Sequence, residues 1–283
     1  GRNAVVEISN TLDSKVRVPV SQAGGVWYVK GDDAYGLSDE ESTITIPVKS
    51  DYDYTVDLPA WVTGEKVKEG YNLTLAENTT GNARKGTVTF TSERGAKKIV
   101  FLQFGINDIA GTYEATYSVY GDNDQLVEET KTFKLVQDVK NEELFYAEEL
   151  SAIGGLVIPL KFDSETYQLS VFAGQYLGHI ASKEWYLYTV VTSKAGYVHA
   201  DAALAYSAIA EFDLDDEVVM PSFPFKDEKG FSFATSDGTI KSYLDGLEVY
   251  VFKSQSPSFS GGNALGYYDM FKNLSIKKVE LKE

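Results

Sequence analysis

Period-two alternation governs this sequence. Apolar and polar residues take turns through VRVPV at 16–20, TITIPV at 43–48, TVTF at 87–90 and WYLYTVV at 185–191. Successive side chains on an extended strand point to opposite faces, so each run builds a strand with one packed and one wetter face. Clusters of Gly, Asn, Asp and Ser break the runs at short intervals, the spacing of sandwiches and barrels. Helical periodicity is nearly absent. Its one trace is 201–210, where AALA follows Asp201 as a candidate N-cap, and there the pattern predicts a short helix. Residues 243–247 read as a turn. The fold class expected is all-β.

Charge and composition exclude several chemistries. The net charge is −16, from 26 Lys+Arg against 42 Asp+Glu. A field of that sign repels phosphate backbones and anionic bilayers, leaving a neutral partner such as a sugar, or a cationic one. The chain has no cysteine, hence no disulfide, no thiolate metal site and no Cys nucleophile. No run approaches the ~20 apolar residues of a transmembrane span. No basic segment leads into an apolar one at the start, so a secretory leader is expected to have been removed.

An internal repeat divides the chain. RNAVVEISNTLDSKVRVPVSQAG at 2–24 matches RKGTVTFTSERGAKKIVFLQFG at 84–105: an Arg, an alternating strand, a polar turn, a second alternating strand, then Gln-x-Gly. Val6 and Ile8 align with Val88 and Phe90; Val18, Val20 and Gln22 align with Ile99, Phe101 and Gln103. Each copy reads as the closing hairpin of one domain type, the first without the strands that should precede it. Such a hairpin either packs against the next module or exchanges with a neighbouring chain.

Residues 26–105 resemble the BACON domain, the Ig-like β-sandwich of surface proteins in gut Bacteroidetes. The resemblance rests on TITIPVKS at 43–50, DYTV at 53–56, AWV at 60–62, the AENTT turn at 76–80, Arg84 with its strand, and the final QFG at 103–105. Tyr54 stands where that family often has Trp. The stretch from 108 on is similar to lipocalin-like meander barrels, through its opening GTY at 111–113, VFAGQYLG at 171–178, and a closing strand at 273–282 expected to pair back onto 111–120. The resemblances imply a remnant hairpin at 1–24, a BACON-like sandwich at 25–107 and an antiparallel meander β-barrel, lipocalin- or calycin-like, at 108–283. They further imply a non-catalytic, secreted or lipid-anchored envelope protein that binds carbohydrate. The alternatives are a scaffold within a surface complex, without a small-molecule ligand, and a polysaccharide-active hydrolase.

The residues offer little catalytic apparatus. His179 and His199 are the two histidines, no Gly-x-Ser-x-Gly elbow is present, and no His-x-x-x-His frames a metal. Ca²⁺ at the acidic turns 122–124 or 213–217 is the one cofactor the composition allows, although neither follows the EF-hand order; solvated turns account for both. The aromatic content of 19 Tyr, 15 Phe and 3 Trp serves strands first and ligand stacking second. Trp61 and Tyr54 lie in core-type runs and are expected to be buried. Tyr176, Trp185, Tyr267 and Tyr268 are the candidate ligand-binding residues; the alternative for them is to fill the barrel. Tyr267 and Tyr268 end the long small-residue loop SPSFSGGNALG at 256–266, the kind of segment that gathers ligand contacts at a barrel mouth.

Overall fold

The computed structural model describes residues 2–9, 15–22, 24–216 and 218–279. They fall into two compact units, one of residues 1–78 and 85–103, the other of residues 79–84 and 104–283. Both are built of strands.

In the first unit β1 (Arg2–Ser9) and β2 (Lys15–Gln22) make a two-stranded antiparallel sheet of their own, with Val6 opposite Val18 and Ala4 opposite Val20. An Ig-like sandwich of two four-stranded sheets follows. One sheet orders β3 (Trp27–Val29), β5 (Ser42–Ser50), β8 (Gly70–Leu75) and β7 (Val62–Val67). The other orders β4 (Ala34–Leu37), β10 (Gly95–Gln103), β9 (Arg84–Ser92) and β6 (Tyr54–Asp57), with β4 parallel to β10. Alternation sorts the side chains: on β5, Ile44, Ile46 and Val48 turn inward while Thr43, Thr45 and Pro47 face out. Ile46, Leu73 and Leu75 from one sheet pack with Val88, Phe90, Ile99 and Phe101 from the other, all fully buried. Tyr54 and Trp61 are half-buried and lean on this core, where full burial is expected from the sequence. Gly70 is required between β7 and β8, since a Cβ there would lie 2.1 Å from the Ile46 carbonyl oxygen.

The second unit opens as an antiparallel meander of β11 (Gly111–Tyr120), β12 (Leu126–Gln137), β13 (Leu144–Glu148), β14 (Val157–Asp163) and β15 (Gln168–Phe172). Beyond β15 the sheet continues to β19 (Ala205–Ile209). On the other side of β11 lie β24 (Ala264–Lys278), β23 (Leu244–Phe252), β17 (Trp185–Ser193) and β16 (Tyr176–Ile180). Short strands β18 (Val198–His199) and β20 (Ser222–Pro224) pair with β17 and β24; β21 (Phe231–Thr235) and β22 (Gly238–Ser242) form a separate hairpin. The sheet curls toward a barrel. Just past β15, Gly174 N–H donates to Thr189 O at 2.7 Å and Thr189 N–H donates to Gln175 O at 2.9 Å, tying the far end of the meander to β17. Gly174 takes φ +72° here, and a Cβ would lie 2.4 Å from the Ala200 carbonyl oxygen.

The last strand pairs back onto β11, from Tyr113 opposite Lys278 to Ser118 opposite Lys272; residues 280–282 of the expected strand lie outside the described residues. Two local expectations are corrected. Residues 201–210 are not a helix: the Asp201 carboxylate accepts from Ala203 N–H at 2.9 Å in a tight turn, and the chain then enters β19, paired with β15. Residues 243–247 are not a turn: Leu244 begins β23 directly after Tyr243, with a register shift opposite Thr192 and Ser193.

Candidate functional site

Register on the curled sheet decides where the candidate aromatic residues go. Tyr176 stands opposite Tyr188, Tyr188 opposite Tyr250, and Tyr250 opposite Tyr267, a row across β16, β17, β23 and β24. Neighbouring strands lie ~4.8 Å apart, so the row spans about 14 Å. Its middle is covered, because Phe259 folds back to 5.4 Å from both Tyr250 and Phe252, and Tyr188 is buried. Its ends are open: Tyr176 is 47% and Tyr267 52% exposed. Trp185 lies on the opposite pleat from Tyr186 and Tyr188. Its ring meets the edge of Tyr268 at 6.4 Å, and Lys183 Nζ sits 4.2 Å over its face. None of the four candidates is buried.

Tyr267 and Tyr268 line a cleft of about 220 Å³. Tyr117, Val119 and Tyr120 of β11 and Glu129 and Lys131 of β12 form one side; Leu150 and Ala152, between β13 and β14, form another; residues 267–271 of β24 complete it. Charge holds the β13–β14 connection in place. The Lys131 ammonium donates to the carbonyls of Leu150 (3.0 Å) and Ser151 (3.1 Å), and the Asp269 carboxylate accepts from the Ser151 hydroxyl and from Ala152 N–H at 3.2 Å. Tyr117 donates to Glu129 Oε2 at 3.4 Å. Burial first, then the charges of Glu129 and Asp269, push the Tyr117 phenol above its ordinary range, which keeps it a hydrogen-bond donor. The cleft therefore sets exposed phenol rings of Tyr120, Tyr267 and Tyr268 beside two carboxylates, an ammonium and a protonated phenol. Flat aromatic surface with a few fixed polar groups suits a neutral polyhydroxylated ligand.

No protein-family model matches the chain, and no curated protein does. Among solved structures, a Bacteroides ovatus GH5 xyloglucanase in complex with a XXXG heptasaccharide is similar over 36% of this chain and 30% of that one, at 15% identity and a TM-score of 0.25. The geometry of this chain carries the functional reading instead.

The cleft brings Tyr267 and Tyr268 together, with Trp185 in contact through Tyr268. Tyr176 stays apart at the far end of the tyrosine row. Tyr117, Tyr120, Glu129 and Lys131 were not legible as site residues, since only the pairing of β24 with β11 and of β11 with β12 brings them beside Tyr267; Asp269 directly follows Tyr268 on β24, but nothing in the local pattern marks it as a site residue. The return of 273–282 onto 111–120 was the signal that could have found Tyr117 and Tyr120.

The histidines stand elsewhere. His179 stacks on Tyr186 at 4.3 Å, and His199 packs edge-on against Phe231 and Phe233 at 4.9 and 4.5 Å. Burial lowers the His199 pKa, so the ring favours the neutral form. Among the described residues no group of three or more His, Asp or Glu side chains gathers where a metal could sit; Glu217 of the acidic run lies outside them. No described helix is long and apolar enough to cross a membrane.

One carboxylate is out of character. Glu248 stands opposite Val190 and Met270 on the middle strands of the sheet and is 3% exposed. Its Oε2 has no hydrogen-bond partner among the described residues. Burial raises its pKa to about 7, with Lys272 opposing and Asp245 reinforcing the rise. Lys272 Nζ is itself paired with Asp245 at 2.9 Å, and Asp245 also accepts from Thr192 Oγ1 at 2.7 Å.

Proposed function

We propose that this chain is a non-catalytic carbohydrate-binding protein of the cell envelope, with an oligosaccharide lying across Tyr120, Tyr267 and Tyr268. The observation that carries the reading is the cleft itself, where three exposed phenol rings meet polar groups already held in orientation. C–H faces of a sugar ring pack on the tyrosines while its hydroxyls meet Glu129, Lys131 and the Tyr117 phenol. Binding rather than bond cleavage is favoured because Asp269 is engaged by Ser151 and Ala152 and acts as a clasp for the loop. Glu248, with its raised pKa, does not line this cleft. The net charge of −16 favours a neutral glycan over a phosphorylated or sulfated one. In this reading the BACON-like module at 25–107 spaces the binding unit from the cell surface, and no metal takes part.

Calorimetry against a panel of neutral polysaccharides and oligosaccharides tests it. At least one member is expected to bind at micromolar to millimolar Kd, and the double variant Tyr267→Ala/Tyr268→Ala to lose at least tenfold in affinity with an unchanged melting temperature. Absence of binding across the panel, or release of reducing ends from it, contradicts the proposal.

A further inference from the structure

The saccharide cleft is electrically unbalanced. Glu129 and Asp269 bring two carboxylates to its wall, and Lys131 brings a single ammonium. That ammonium has three N–H donors, and two of them are spent on the carbonyls of Leu150 and Ser151. Neither carboxylate has an ion-pair partner among the described residues: Asp269 is met by a hydroxyl and an amide, Glu129 by the Tyr117 phenol at 3.4 Å. Burial and then the charges of both acids raise the Tyr117 pKa, so the two fields overlap inside the cleft. The acids differ in what they offer a ligand. Asp269 is committed to the β13–β14 connection, whereas Glu129 is exposed. The rings add to the same sign, since the face of a phenol ring attracts cations. Tyr120 already has Lys272 Nζ 5.9 Å over its ring, which leaves the exposed rings of Tyr267 and Tyr268 for a ligand cation.

We propose that the cleft ranks sugars by charge and prefers an oligosaccharide of amino sugars, with a ligand ammonium on Glu129. The inference rests on the saccharide reading above and narrows it to a chemical class. The C–H faces of the sugar still pack on the tyrosines. A ring position that carries an ammonium meets the exposed carboxylate; a ring that carries a carboxylate is repelled by both acids. A charge-assisted hydrogen bond is roughly twice as strong as a neutral one. The net charge of −16 draws a cationic ligand in and makes its binding sensitive to salt. A lysine side chain carries the same cation without the flat C–H ring that the tyrosines match, so a basic peptide fits the cleft less well.

Calorimetry with three tetrasaccharides of one linkage tests this: N-acetylated amino sugars (neutral), free amino sugars (cationic) and uronic acids (anionic), at mildly acidic pH where the amines are protonated. The cationic ligand is expected to bind about tenfold tighter than the neutral one at low salt, the effect of one hydrogen bond to a charged group, and the anionic ligand weakest. Added salt should shrink that ratio. Glu129→Gln should bring the cationic and neutral ligands to within about twofold of each other, a ratio that general loosening of the cleft does not move. Glu128→Gln removes the same charge from the opposite face of β12, outside the cleft, and should leave the tenfold ratio in place. Equal affinity for the cationic and neutral ligands overturns this inference and leaves the saccharide reading standing; no binding by any of the three overturns both. The inference also falls if Glu128→Gln lowers the ratio as far as Glu129→Gln does. It falls as well if a lysine tetrapeptide competes as strongly as the amino sugar, since the cation alone would then be what is recognised.

Discussion

The sandwich of the first unit and the curled sheet of the second use the same alternating code to different ends. Each sandwich sheet is packed on one face and wet on the other, so on β5 the inward positions are aliphatic and the outward ones polar. The middle strands of the curled sheet are covered on both faces. On β17 every residue from Leu187 to Ser193 is buried, and β23 is buried nearly throughout. A strand covered on both sides has nowhere to put its polar positions but indoors. Glu248, Lys272 and Thr192 are those positions, gathered on adjacent strands around Asp245. The sandwich is thus held by volume, whereas the sheet is held by volume and by charge.

The largest effect expected is in the sandwich. Phe101→Ala removes a fully buried ring stacked at 5.4 Å on Tyr35 and should cost about 3–5 kcal/mol at any pH from 5 to 8. Urea unfolding followed by exchange at the β5 and β9 amides measures it; a strong pH dependence of the loss would break the contrast. Lys272→Met comes next. It strands Asp245 in a site where the pair is largely shielded from water, and should destabilise the second unit by about 3 kcal/mol. A double variant Lys272→Met/Asp245→Leu that recovers most of the loss would sharpen the charge reading; equal losses for the single and the double would count against it.

Glu248→Gln tests the same cluster with the opposite sign. The folded chain holds the Glu248 carboxyl at about 7 against an ordinary 4.5, so it keeps a proton that the unfolded chain releases. Stability from this group is therefore lost as pH rises from about 4.5 through 7, on the order of 2 kcal/mol. The Gln variant cannot lose it. Its melting temperature should exceed that of the parent by about 4 °C at pH 8 and match it near pH 5. A parent melting temperature that rises between pH 5 and 8, with no gain in the variant, would show that Glu248 is ionised in the fold. The smallest effect expected is at the far end of the tyrosine row: Tyr176→Ala should change saccharide affinity less than twofold, because Tyr176 does not line the cleft.

The same contrast explains what could be read from the sequence. TITIPV and TVTF announce strands with one buried face, and β5 and β9 follow them. Where the sheet is covered on both faces the code weakens. Residues 201–210 carry helix-favouring alanines, yet pairing from Phe172–Ala205 to Gln168–Ile209 prevails over local propensity. Asp245 and Gly246 suggest a turn; instead Gly246 lets β23 pass close to Thr192 and Lys272, where a Cβ would lie 2.7 Å from Thr192 Oγ1. Tyr267 and Tyr268 were legible because an aromatic pair closing a small-residue loop is conspicuous. Their partners Tyr120 and Glu129 were not, because they become neighbours only through register between β11, β12 and β24. Glu248 was invisible for a similar reason: in EVYVF it sits at an ordinary alternating position, and only cover on the second face makes it exceptional.

The most direct test is to locate a bound sugar on the tyrosines. With tyrosine rings isotopically labelled, a titration of the tightest neutral oligosaccharide followed by NMR should shift the Tyr117, Tyr120, Tyr267 and Tyr268 resonances saturably and leave Tyr176 in place. Shifts confined to other tyrosines, or no saturable shift at millimolar sugar, would contradict the assignment of this cleft as the binding site.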